Sequence, residues 1–179
     1  MFNKIILFSF ILQVFFLNAC SIISTSPDVL VRNEFTGDGV AVLDFTQQST
    51  SMVSNMGKFA ADKLTDALFL ERQFKVIDRA VVKDAIISMD INNTDLLSLE
   101  DIKKLGNLIN ANFIILGRIQ YFTEPEFLNS NSDKELYISF RILSVSSGDI
   151  VGIANSKRNF SENIIDELSY VINDLVRSI

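Results

Sequence analysis

From Phe113 onward the apolar side chains fall at every second position, whereas Met52–Leu68 and Ile102–Ile109 space them by three and four. A period of two fits a pleated strand and a period near 3.6 fits one face of a helix. The chain therefore has helices to build in its first half and an antiparallel meander in its second. Three strands are predicted there, Phe113–Phe122, Leu136–Val145 and Ile150–Phe160, the last two joined by a tight turn at Ser146-Ser147-Gly148-Asp149. In the middle strand Leu136, Ile138, Phe140 and Ile142 alternate with Tyr137, Ser139 and Arg141, so one face packs and the other is partly wet.

The first half reads as strand–helix–strand. Gly37-Asp38-Gly39 marks a turn into Val40-Ala41-Val42-Leu43-Asp44-Phe45, an apolar run suited to a central strand buried on both faces. A helix from about Ser49 to Leu70 carries Met52, Met56, Phe59, Ala60, Leu64, Ala67 and Leu68 on one stripe. Phe74–Ile77 is a short second strand, and a crossover of this length makes the pair parallel. Asp78 stands at the N-cap of a helix Arg79–Met89. A further helix, about Ser98–Asn110, presents Ile102, Leu105, Leu108 and Ile109. The chain closes on a helix from about Glu162 to Arg177, capped by Ser161, with Ile164, Ile165, Leu168, Ile172, Leu175 and Val176 inward. The expected fold is one α/β domain of two or three layers. Its mixed sheet has about five strands, parallel at the start and antiparallel at the end, packed by amphipathic helices.

Composition narrows the chemistry. Among 179 residues there is one Cys and no His or Trp. That removes imidazole triads, imidazole metal ligands, internal disulfides and Cys-rich zinc sites. A formal charge of −6 argues against nucleic acid as a partner. Asp38, Asp44 and Asp78 lie near strand ends, where α/β domains place functional groups, but turn and cap roles account for them. Gly37-Asp38-Gly39 precedes its strand, while a phosphate-cradling glycine loop follows one. The stretch Thr46–Ser51 after that strand holds no Gly or Lys. No nucleotide, cofactor or metal site, and no catalytic constellation, is expected.

Residues 1–19 read as an address. Lys4 supplies a positive start, and Ile5–Phe16 is an apolar run too short for a span of about 20 residues. It ends in Leu17-Asn18-Ala19-Cys20, which resembles a bacterial lipobox, with Asn18 where a small residue is usual. The resemblance implies cleavage between Ala19 and Cys20 and acylation of Cys20, which anchors the chain to a membrane. Ser21, where Asp would imply retention at the inner membrane, favours the outer membrane and its periplasmic face. Residues 20–36 are polar and read as the lipidated N-terminus and tether. The sixteen residues from Ser21 to Thr36 reach at most about 55 Å. The folded domain is expected over 37–179.

Arg118, Arg141 and Lys157 sit at positions that line up on the wetter face of the meander and form a candidate partner or anion patch. The alternative is a solvated face balanced by neighbouring acids. Gly117 within its strand points to a bulge or close packing.

The order of these segments resembles the CsgG-type family of bacterial envelope lipoproteins. The carrying residues are Val40–Phe45, Phe74-Lys75-Val76-Ile77-Asp78-Arg79, Lys104-Leu105-Gly106, Ala111–Ile119 and Arg141–Val151. FlgO-like and LpoB-like lipoproteins are relatives, and none is an enzyme. The resemblance implies a non-enzymatic assembly or interaction module for an envelope secretion, surface-fibre or motility system. Its alternatives are a ring-forming secretion component and an LpoB-like activator of peptidoglycan synthesis. Two spanning hairpins would need roughly 40 extra residues. The short polar stretch Thr123–Asp133, with Pro125, does not supply them. The short tether likewise disfavours the activator role, which generally goes with a long stalk.

Overall fold

The computed structural model describes residues 26–49, 55–123, 134–160 and 163–179. The elements in chain order are β1 (Asp28–Val31), β2 (Asp38–Val42), β3 (Thr46–Ser49), α1 (Met56–Arg72), β4 (Lys75–Val76) and α2 (Arg79–Ser88). A 3-10 turn (Thr94–Leu96) precedes α3 (Leu99–Leu108), β5 (Phe113–Thr123), β6 (Lys134–Ser144), β7 (Ile150–Phe160) and α4 (Ile164–Arg177). The strands form one seven-stranded sheet in the order β1-β7-β6-β5-β2-β4, with β3 also paired to β5. The α/β class holds. β2 is parallel to β4 and β5, while β5, β6 and β7 are the expected antiparallel meander.

Two strands exceed the expected five. β1 lies in the stretch read as tether and pairs antiparallel with β7, Val29 opposite Ala154 and Leu30 opposite Ile153. Four residues are too few to show a period, so only the waiting edge of β7 reveals it. β3 is polar, Thr46-Gln47-Gln48-Ser49, and runs along β5 from Arg118 to Tyr121 just beyond the stretch that β2 occupies. Its hydrogen bonds to β5, not apolar side chains, make it a strand. The helix expected from Ser49 therefore begins at Met56, and Met52 lies outside the described residues. The expected cap Ser161 also lies outside them; Asn163 caps α4 by accepting from the Ile165 N–H at 3.0 Å.

Asp78 caps α2 as expected, accepting from the Ala80 N–H at 2.7 Å. α3 opens on a capping box in which Ser98 and Asp101 bond reciprocally. The buried stripe of α1 is Met56, Gly57, Ala60, Ala61, Leu64, Ala67 and Leu68, and that of α4 is Leu168, Val171, Ile172, Leu175 and Val176. Both pack on one sheet face over Val40, Val42, Ile115, Ile119, Ile138 and Ile142. On the other face α2 and α3 cover Ala41, Leu43, Ile114 and Leu116 through Val82, Ala85, Ile102 and Leu105. Leu108, expected inward, is exposed at the end of α3. The molecule has three layers over β2 and the start of β5, and two layers over β6, β7 and β1. That asymmetry positions the site.

Candidate functional site: the uncovered half of the sheet

Cross-strand register defines the surface. Residues directly opposite in an antiparallel pair share a face. One row runs Leu30, Ile153, Arg141, Leu116, and the next runs Asp28, Asn155, Ser139, Arg118, Thr46. A third holds Lys157, Tyr137, Gln120 and Gln48. Among the described residues no helix lies over these rows beyond Leu116. Leu30 keeps 68% of its surface exposed and Ile153 41%. Leu116, Arg118, Ser139, Arg141, Ile153 and Asn155 line a shallow groove of about 290 Å³.

The structure brings Arg118 and Arg141 together and sets Lys157 apart. Arg118 faces Ser139 and Arg141 lies two residues further along β6, a diagonal relation of about 7–8 Å between Cα atoms. Lys157 lies opposite Tyr137 and pairs with Glu135 at 2.9 Å, outside the groove. The groove therefore sets two guanidiniums beside an apolar strip, and guanidiniums are the side chains that pair best with carboxylates. Polar neighbours are held in place: the Tyr137 hydroxyl donates to Asn155 at 3.3 Å and the Gln120 amide donates to Gln48 at 2.8 Å. Sequence reasoning missed Leu30 and Ile153. Ile153 carried a signal, since it is apolar at a position where the alternation of β7 calls for a polar side chain.

The carboxylates near strand ends have structural partners. Arg79 at the start of α2 donates to Asp62 of α1 at 3.0 Å, to the Val42 carbonyl of β2, and to Asp44. Asp38 pairs with Lys75 at 3.4 Å and Asp78 caps its helix. Among the described residues no cluster of three or more metal-ligating side chains forms, and no helix is long and apolar enough to cross a membrane. Ala19, Cys20 and the Pro125 segment lie outside the described residues.

No protein-family model and no curated protein matches the sequence. Solved structures do match. The lipoprotein GNA1162 from Neisseria meningitidis superposes with a TM-score of 0.56 at 16% identity, covering 78% of this chain and 95% of that one. A PelC dodecamer from Paraburkholderia phytofirmans gives 0.53 at 14%, covering 84% and 94%. The C-terminal domain of LpoB from Salmonella enterica gives 0.52 at 13%, covering 73% and 88%. At these identities the likeness establishes a shared fold: the chain has the α/β fold of GNA1162, PelC and the LpoB C-terminal domain.

Proposed function

We propose that this chain is a lipid-anchored, non-enzymatic docking module of the bacterial envelope. Acylated Cys20 holds it at the periplasmic face of the outer membrane, and the uncovered half-sheet receives a protein partner. The observation that carries this reading is the half-sheet itself, where Leu30 and Ile153 stand exposed beside Arg141. Contiguous exposed apolar area rimmed by charge marks an interaction surface. The Leu17-Asn18-Ala19-Cys20 segment, the CsgG-type wording of the sequence and the shared fold with a lipoprotein support the envelope setting. No cofactor, metal, nucleotide or nucleic acid enters the reading. A second reading, a ring-forming transport component, is favoured by one observation: PelC, of the same fold, forms a dodecamer.

Two experiments test the proposal. Cys20→Ala is expected to abolish acyl-chain incorporation and to release the protein from the membrane fraction. Retention there would overturn the anchor. A photo-crosslinking residue at Ser139 is expected to capture a protein in living cells, while one at the exposed Asn173 of α4 does not. Equal yields would overturn the docking face.

A further inference from the structure

The chain leaves β2 through α1 on one sheet face to reach β4. It leaves β4 through α2 and α3 on the other face to reach β5, on the far side of β2. The connections from the adjacent strands β2 and β4 therefore part to opposite faces, and a crevice opens outside the carboxyl ends of these strands. Open α/β sheets bind their ligands at such a point. Here the crevice holds a cavity of about 370 Å³ lined by α1, α2 and the end of β2. That volume falls within the range of small-molecule sites, about 300–1,000 Å³. The cavity lies in the helix-covered half of the sheet, apart from the bare half-sheet, and does not depend on the docking reading.

Two kinds of surface meet in it. Ala80, Val82, Ile86 and Ile87 of α2 supply an apolar wall, and Ile87 keeps 65% of its area exposed. Arg79 is already occupied, because Asp44 and Asp62, the two acids of the lining, both accept from it. Lys58 of α1 and Lys83 of α2 are exposed and also line the cavity. Among the described residues neither lysine takes part in an ion pair. The lining carries three cations against two carboxylates, on a chain whose net charge is −6. One exposed lysine is ordinary. Two of them, from different helices, beside an apolar wall in a concave site, suit an anion with an aliphatic part.

We propose that this cavity binds a small amphiphilic anion, a phosphate ester or a carboxylate. Its head pairs with Lys58 and Lys83, and its short aliphatic part covers Ile86 and Ile87. Arg79 is a positioning residue: from the start of α2 it bonds Asp62 of α1 at 3.0 Å and the Val42 carbonyl of β2, which fixes the walls in place before the ligand arrives. A preformed site loses little affinity to ordering.

The test uses the full chain in lipid nanodiscs, with isoleucine δ1 methyl groups labelled for NMR and n-butyl phosphate or pentanoate as titrant. The Ile86 and Ile87 signals are expected to shift saturably, while that of Ile153 on the bare half-sheet stays still. The tighter of the two titrants identifies the head group. Inorganic phosphate, which lacks the chain, and butylamine, which reverses the charge, are expected to bind at least about tenfold more weakly. Lys58→Gln combined with Lys83→Gln is expected to weaken binding of the anions by about tenfold or more. Ile87→Ser is expected to bring butyl phosphate down toward inorganic phosphate. Both lysines are exposed, and an unmoved Ile153 signal checks that each variant is folded. No saturable shift with either titrant, butylamine binding as well as the anions, or an affinity indifferent to the lysine changes would overturn the site. Inorganic phosphate binding as tightly as its butyl ester would overturn the amphiphile as its ligand.

Discussion

Phe45 leaves the end of β2 and lays its ring on β5 at Gly117, where a Cβ would clash with the outer carbons of the ring. Gly57 at the start of α1 makes a similar approach, but there a Cβ would strike the Phe45 carbonyl oxygen. The chemistry of the obstacle decides the outcome. Gly117→Ala is expected to destabilise by about 1–3 kcal/mol and to be largely rescued by Phe45→Leu, because a side chain can be trimmed. Gly57→Ala is expected to lose about 3 kcal/mol or more with no rescue from the same change, because backbone cannot. Urea unfolding of the two pairs separates these cases. A second prediction concerns Asp101. Hydrogen bonds from the Ser98 hydroxyl at 2.6 Å and the Ser98 N–H at 3.0 Å hold its carboxyl below the usual range. A depressed carboxyl contributes stability that is complete above its unfolded pKa of about 3.9 and is lost as pH falls through the folded value. Ser98→Ala should raise the Asp101 pKa toward normal in an NMR titration and flatten the acid limb of the stability curve.

Helix α2 is tied to its neighbours by one side chain. The Arg79 guanidinium spans Asp62 on α1, the Val42 carbonyl at the end of β2, and Asp44 beyond it. Its side chain is 20% exposed, so these bonds are only partly screened by water. Lysine offers a point charge in place of a planar fork and cannot serve three acceptors in different directions. Arg79→Lys is expected to destabilise by about 1–3 kcal/mol, the scale of hydrogen bonds to charged groups. Asp44→Asn, at an exposed end of the network, is expected to cost about 1 kcal/mol or less. Chemical denaturation of both variants checks the order. A larger loss for Asp44→Asn would contradict the assignment of Arg79 as the hub.

Across the whole chain, one face of the sheet is sealed by α1 and α4 while the other is sealed only over β2, Leu43 and the beginning of β5. The exposed remainder is the part built from the long antiparallel strands, whose outward positions are polar or charged except at Leu30, Phe122, Ile150 and Ile153. A half-covered sheet is folded but not finished as a surface, and the docking reading grows from that fact. The tether bears on reach. Since β1 begins at Asp28, the link from Cys20 spans at most about 28 Å, half of what a tether to Thr36 would allow. Release by Cys20→Ala is therefore a prediction about the anchored state proposed for the protein and not about single contacts.

Local period and local hydrogen-bonding chemistry suffice for the α/β class, the meander and its inward residues, the Asp78 cap, and the placing of Arg118 and Arg141 on the wetter face. All of these were legible in the residues alone. β1 and β3 were not. A four-residue edge and a polar strand are strands only because β7 and β5 offer them free N–H and C=O groups. Nor could Lys157 be separated from the two arginines, because that depends on register across three strands and on Glu135 lying within reach. Which half of the sheet the helices leave bare is likewise a tertiary outcome. It is set by strand order, because α2 and α3 follow β4 and precede β5 and so fall over the parallel part of the sheet. The meander that comes after has only α4 to pack, and one helix covers one face.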